Sequence, residues 1–131
     1  MTDDGEVRDL LEQWVRAVQQ RDLPGVVAQH APDVVMFDVP PPHRGVRGLE
    51  AYAETWPPFF GWLDAGAVFE LESLEVTAGA DVAVAWALLR CGTPEEFAQR
   101  PDARLRISFG LRREAGSWLV VHEHHSFAVT D

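Results

Sequence analysis

Apolar residues near the start of the chain recur at Val7, Leu10, Leu11, Trp14, Val15 and Val18, the three-to-four spacing of one helix face. Acids fill the first turn, Asp3 or Asp4 can cap it, and the stripe predicts a helix running to about Gln20. Arg21-Asp22-Leu23-Pro24 then restarts the chain as a short helix through His30, with Asp22 as the cap and Val26 and Val27 facing inward. Asp33 to Val39 reads as a strand. Prolines 40 to 42, followed by Arg44-Gly45-Val46-Arg47-Gly48, exclude regular structure and predict a stiff loop. A third helix starts at Leu49, carries Tyr52, Ala53 and Trp56 on one stripe, and must stop or break at Pro57-Pro58.

Beyond the prolines the pattern turns extended. Val68 to Thr77, Asp81 to Cys91, Leu105 to Arg113 and Ser117 to Val129 read as four long strands, joined by Ala78-Gly79-Ala80, by a loop over Gly92 to Asp102, and by Glu114-Ala115-Gly116. Helices first and strands last give an α+β fold, three N-terminal helices packed on an antiparallel sheet. Alternation is blurred in Val82-Ala-Val-Ala-Trp86-Ala-Leu-Leu89, which predicts a central strand covered on both faces. Three helices cover one face only, so the other is expected to meet a second copy of the chain, making a homodimer through the sheet face.

At 131 residues the chain is expected to form one domain, 1–131, with room for a core and a small pocket. A formal charge of -10 disfavours nucleic acid and anionic membranes as partners. With one cysteine, no apolar run of spanning length and no secretory pattern from Met1 to Leu10, a cytoplasmic location is expected. Trp14, Trp56, Trp62 and Trp86 lie on different elements and could wall an aromatic cavity for a small hydrophobic ligand.

The last strand carries the candidate chemistry. Its Trp118-Leu-Val-Val-His122-Glu-His124-His125-Ser126 places three imidazoles and a carboxylate where core is expected, and imidazole suits proton transfer near neutral pH. Simple alternation puts His122, His124 and Ser126 on the face of Trp118 and Val120, with Glu123 and His125 on the other.

The order of elements, together with Arg21-Asp22-Leu23-Pro24-Gly25-Val26-Val27-Ala28, Asp33-Val-Val-Met-Phe-Asp38, Arg44-Gly45-Val46-Arg47-Gly48 and Gly116-Ser-Trp118-Leu-Val-Val-His122, resembles the nuclear transport factor 2-like superfamily. More narrowly it resembles the SnoaL-like and ketosteroid-isomerase-like proteins of bacteria. The resemblance implies a strongly curved antiparallel sheet forming a cone-shaped pocket closed by the helices. Function does not follow from that fold, which serves isomerases, cyclases, hydratases, epoxide hydrolases and binding modules.

By the matching segment, the isomerase general base corresponds to Asp38, whose basicity partial desolvation would raise. The two oxyanion donors correspond to Trp14 and to Phe109 or a neighbour; Phe109 can donate nothing, and one missing donor typically costs about 10²- to 10³-fold in turnover. SnoaL-like cyclases resemble the chain better, combining an Asp with a His in an enclosed cavity. The resemblance thus implies Asp38, His124 and His122 as proton carriers, and Trp14, Tyr52, Trp56, Trp86, Phe109 and Ser126 as pocket residues. Chemistry of that type needs no cofactor.

His122-x-His124 with Asp38 could instead hold a metal, but two ligands on one strand are a weak signal and no metal is expected. An epoxide-hydrolase site lacks an evident second inward acid, and Cys91 and Ser126 lack the partners of a nucleophile. Two readings remain: cofactor-free acid/base catalysis, isomerase- or cyclase-like, on a hydrophobic carbonyl compound, or a non-catalytic protein holding an apolar ligand in the same pocket.

Overall fold

Six strands form one unclosed sheet in the order β2-β1-β6-β5-β4-β3, with helices against its concave side. The computed structural model describes residues 3–129. Helix α1 (Asp3–Gln19) buries the whole predicted stripe from Val7 to Val18. Its first-turn acids serve as anchors: Asp4 accepts from the Ala78 N–H at 2.9 Å, and Asp3 pairs with Arg113 at 2.6 Å. Helix α2 (Leu23–Val27) is capped by Asp22, which accepts from the Gly25 N–H at 3.2 Å.

Strand β1 (His30–Phe37) begins earlier than the pattern predicts, and β2 (Val46–Arg47) folds part of the proline-rich loop back onto it. Helix α3 (Leu49–Glu54) ends before the prolines. Helix α4 (Trp56–Asp64) follows, with Pro57 and Pro58 in its first turn, where a missing N–H costs nothing. The expected stop is therefore a restart.

Strands β3 (Val68–Ala78), β4 (Val82–Gly92), β5 (Leu105–Glu114) and β6 (Ser117–Ser126) make an antiparallel meander. One pairing departs from an all-antiparallel sheet, since β6 runs parallel to β1. The connection from β4 to β5 contains helix α5 (Pro94–Gln99), started by a reciprocal capping box between Thr93 and Glu96.

On β4 the alternation is clean after all: Ala83, Ala85, Ala87 and Leu89 face the helices. Val82, Val84, Trp86 and Leu88 form the opposite row, exposed by 64, 49, 45 and 38% in the isolated chain. The pattern is blurred because the outer row is apolar too, and no element among the described residues covers it. Among the described residues no helix is long and apolar enough to cross a membrane.

Candidate functional site

Gly110 of β5 pairs with His122 and Leu111 with Val120, so Val121 is an extra residue that opens a β-bulge in β6. A bulge of one residue reverses the parity of everything beyond it. Trp118 and Val120 face the core before the bulge, and Glu123 and His125 face it afterwards, all of them buried. The expectation from simple alternation is thus inverted. His122 and His124 lie on the outer side, where both rings meet Phe37 edge-on, at 5.0 and 5.6 Å. Ser126 accepts from Arg106 at 3.2 Å, and Trp86 donates to Glu75 at 2.7 Å on the outer row. None of these four lines the cavity described below.

Glu123 organises the inner side. Its Oε1 accepts from His125 Nε2 at 2.8 Å, and its Oε2 accepts from His30 Nε2 at 2.6 Å and from the Tyr52 hydroxyl at 2.7 Å. Tyr52 Oη in turn accepts from Trp14 Nε1 at 3.1 Å, and its ring stacks on His30 at 4.7 Å. Burial by itself would push the Glu123 carboxyl up, but the hydrogen bonds from His125 and His30 outweigh it and hold the group at about 2. The Tyr52 hydroxyl is pushed well above its usual range, by burial first and then by the charge of Glu123. It therefore stays a donor.

Proton counting follows from the partners. His30 faces two acceptors, the Ala28 carbonyl at 3.1 Å and the Glu123 carboxylate at 2.6 Å. His125 spends its Nε2–H on Glu123, which leaves Nδ1 facing Asp38, with Oδ1 at 3.7 Å.

His125 and Asp38 form the polar end of a cavity of about 350 Å³. Trp56, Phe59, Trp62, Phe69, Leu105 and Phe127 supply most of the remaining wall. Asp38 is steadied by its own loop, accepting from the Val39 N–H at 2.8 Å. Trp14 and Phe109, 5.4 Å apart, stand behind this wall rather than in it, and Trp14 also meets Trp56 at 5.7 Å and His125 at 6.4 Å. Trp56 Nε1 is buried beneath the surface of this wall, on the side of the Tyr52 hydroxyl. Cys91 also touches the cavity; burial first, then Glu96, pushes its thiol up to about 12, so it is no nucleophile at neutral pH.

Of the residues selected from the sequence, then, the fold brings Asp38, Trp56 and Trp62 into the cavity and Tyr52 into the network behind it. Glu123 and His125 are the polar residues that simple alternation put on the wrong face, and His30, expected at a helix end, is the third. Val120-Val121, an apolar pair that breaks the alternation, opposite Gly110 on the neighbouring strand, is the signal that could have revealed them. Among the described residues no group of three His, Cys, Asp or Glu side chains is arranged to hold a metal ion.

Residues 7–130 match the SnoaL-like domain family. Among solved structures, an NTF2-like protein of unknown function from Pseudomonas putida is 38% identical at a TM-score of 0.81, over 94% of this chain and 84% of that one. A candidate ketosteroid isomerase from Shewanella frigidimarina is 20% identical at a TM-score of 0.73, over 90% and 92% of the two chains. An NTF2-like protein with a cystatin-like fold from Novosphingobium aromaticivorans is 20% identical at 0.74, over 94% and 80%. At 20% identity the last two speak for the fold alone. No curated protein matches the chain.

Proposed function

The chain belongs to the SnoaL-like domain family, and on that footing we propose that it takes a hydrophobic carbonyl compound into the cavity and moves a proton on it through His125. The observation that carries this reading is the alignment of Glu123, His125 and Asp38. A buried carboxylate holds Nε2–H, and the other ring nitrogen stands beside a second carboxylate at the cavity edge.

In the proposed cycle His125 Nδ1 removes a proton from the carbon next to the carbonyl, and the C–H electron pair becomes that of an enolate. Asp38 and Glu123 stabilise the imidazolium so formed. Returning the proton to a different carbon gives isomerisation; attack of the enolate carbon on a second carbonyl gives ring closure. Neither outcome needs a cofactor. Relative to the site expected from the sequence, His125 takes the place of His124, and Asp38 passes from proton carrier to a supporting part.

The test uses a generic probe. Exchange of the α-hydrogens of α-tetralone for solvent deuterium, followed by NMR, is expected to be accelerated by the protein. His125→Ala should lower that acceleration by about 10²- to 10⁴-fold, the usual worth of a positioned base, while His124→Ala leaves it unchanged. If His125→Ala exchanges as fast as the parent, the acid/base reading fails. The non-catalytic reading, favoured by a wall whose polar groups are few, would then stand. We further propose a homodimer through the outer sheet face, because the row from Val82 to Leu88 is apolar, uncovered and able to meet itself across a two-fold axis.

A further inference from the structure

Glu123 is fully buried, yet it keeps a charge that three donors share, and they share it unevenly. Among the described residues His125 alone meets Oε1, at 2.8 Å. Oε2 takes both the Tyr52 hydroxyl, at 2.7 Å, and His30 Nε2, at 2.6 Å. The Tyr52 proton has one destination. Trp14 Nε1–H can only donate, and it occupies Tyr52 Oη at 3.1 Å, with the Trp56 indole N–H on the same side of that oxygen. The hydroxyl therefore spends its own proton on Glu123.

Donors on one carboxylate compete for its charge, since each bond that stabilises the anion leaves less of it for the others. In a fully buried place no water replaces a bond that is lost. His125 feels the result through Oε1.

We infer that Tyr52 is a positioning residue for the proton transfer: by drawing on the Oε2 side of Glu123 it limits how strongly that carboxylate holds His125, and so keeps Nδ1 free to take a proton. The inference rests on the reading of His125 as the proton carrier and adds a control behind it. The other groups around the ring are separate from this control. Asp38 Oδ1, beyond the end of β1, lies 3.7 Å from Nδ1. From α1 and α4 the ring meets the indoles of Trp14 and Trp56, and its cross-strand neighbour on β5 is Ile107. The Cys91 thiol of β4, in the same cavity wall, is pushed up to about 12 and stays neutral. His30 of β1 acts on His125 through Glu123. Tyr52→Phe removes the hydroxyl and keeps the ring that stacks on His30 at 4.7 Å.

Two measurements on Tyr52→Phe test it. In the α-tetralone exchange assay the rate should fall toward low pH as Nδ1 becomes protonated. In the variant that fall should begin about half a unit to one unit higher, because Glu123, with one competitor gone, stabilises the imidazolium more. In the NMR spectrum the Nε2 proton of His125 should move downfield as its bond to Oε1 tightens, while His124 on the outer face keeps its resonances. Trp14→Phe, which removes the donor behind the hydroxyl, should give both changes in the same direction and smaller. A pH profile and an Nε2 resonance that stay in place in both variants, even with the rate lowered evenly at every pH, would overturn the inference and leave the acid/base reading standing. A parent that does not accelerate exchange sinks the acid/base reading, and a moved Nε2 resonance then still upholds the coupling of Tyr52 to His125.

Discussion

His124 and His125 are neighbours in sequence, and the fold uses them in opposite ways. His125 is buried, holds Glu123 through one nitrogen and presents the other to a cavity. His124 is exposed on the sheet's other side, against the edge of Phe37 and 6.4 Å from the ring of His122. The same imidazole is a candidate proton carrier on one side and part of a surface on the other. What separates them is the register of one strand after Val121, so residue type tells which chemistry is available and backbone parity tells which chemistry is used.

The sharpest way to break this contrast is to remove what only the inner side has. Glu123→Ala leaves His30, His125 and Tyr52 without their acceptor in a fully buried place and should destabilise the protein by about 3–5 kcal/mol in urea unfolding. A loss below about 1 kcal/mol would mean that the inner network is not tightly made.

Acidification tests the same group through its charge. The Glu123 carboxyl is held at about 2 in the fold against an ordinary 4.5, so its contribution is complete above about 4.5 and disappears as pH falls through 2. Stability followed by circular dichroism across that window should fall less steeply in Glu123→Gln than in the parent. On the outer face, Trp86→Asp should shift sedimentation at micromolar concentration from dimer to monomer; a parent that already sediments as a monomer removes the homodimer. The smallest effects belong to the outer histidines. His122→Ala loses a bond to the Val35 carbonyl at 2.7 Å, worth about 1 kcal/mol, and His124→Ala should stay within about 0.5 kcal/mol.

Much of the architecture was legible because strong periodicity decides it: the stripe of α1, the four meander strands and the α+β order all follow from burial. Helices α4 and α5 were not, since a proline is read first as a breaker. Yet Pro57, Pro58 and Pro94 all stand in first turns, and Thr93 with Glu96 spells a capping box. At the site, Asp38 was legible through the resemblance carried by the segment Asp33 to Asp38, and Trp56 through the apolar stripe it shares with Tyr52. Glu123 and His125 were not, because one unpaired residue upstream changes their side without changing their composition. Tyr52 was read as wall, whereas its hydroxyl is needed behind the wall; His30 escaped notice at an expected helix end.

The order of strands sets a schedule for assembly. Strand β6 is the last of the six to be synthesised, yet it lies inside the sheet, between β1 and β5. Before it emerges from the ribosome, the β1 segment and the β3–β5 meander have no strand joining them, and His30 waits for a partner 93 positions away. Any activity at His125 begins only when that final strand has been inserted.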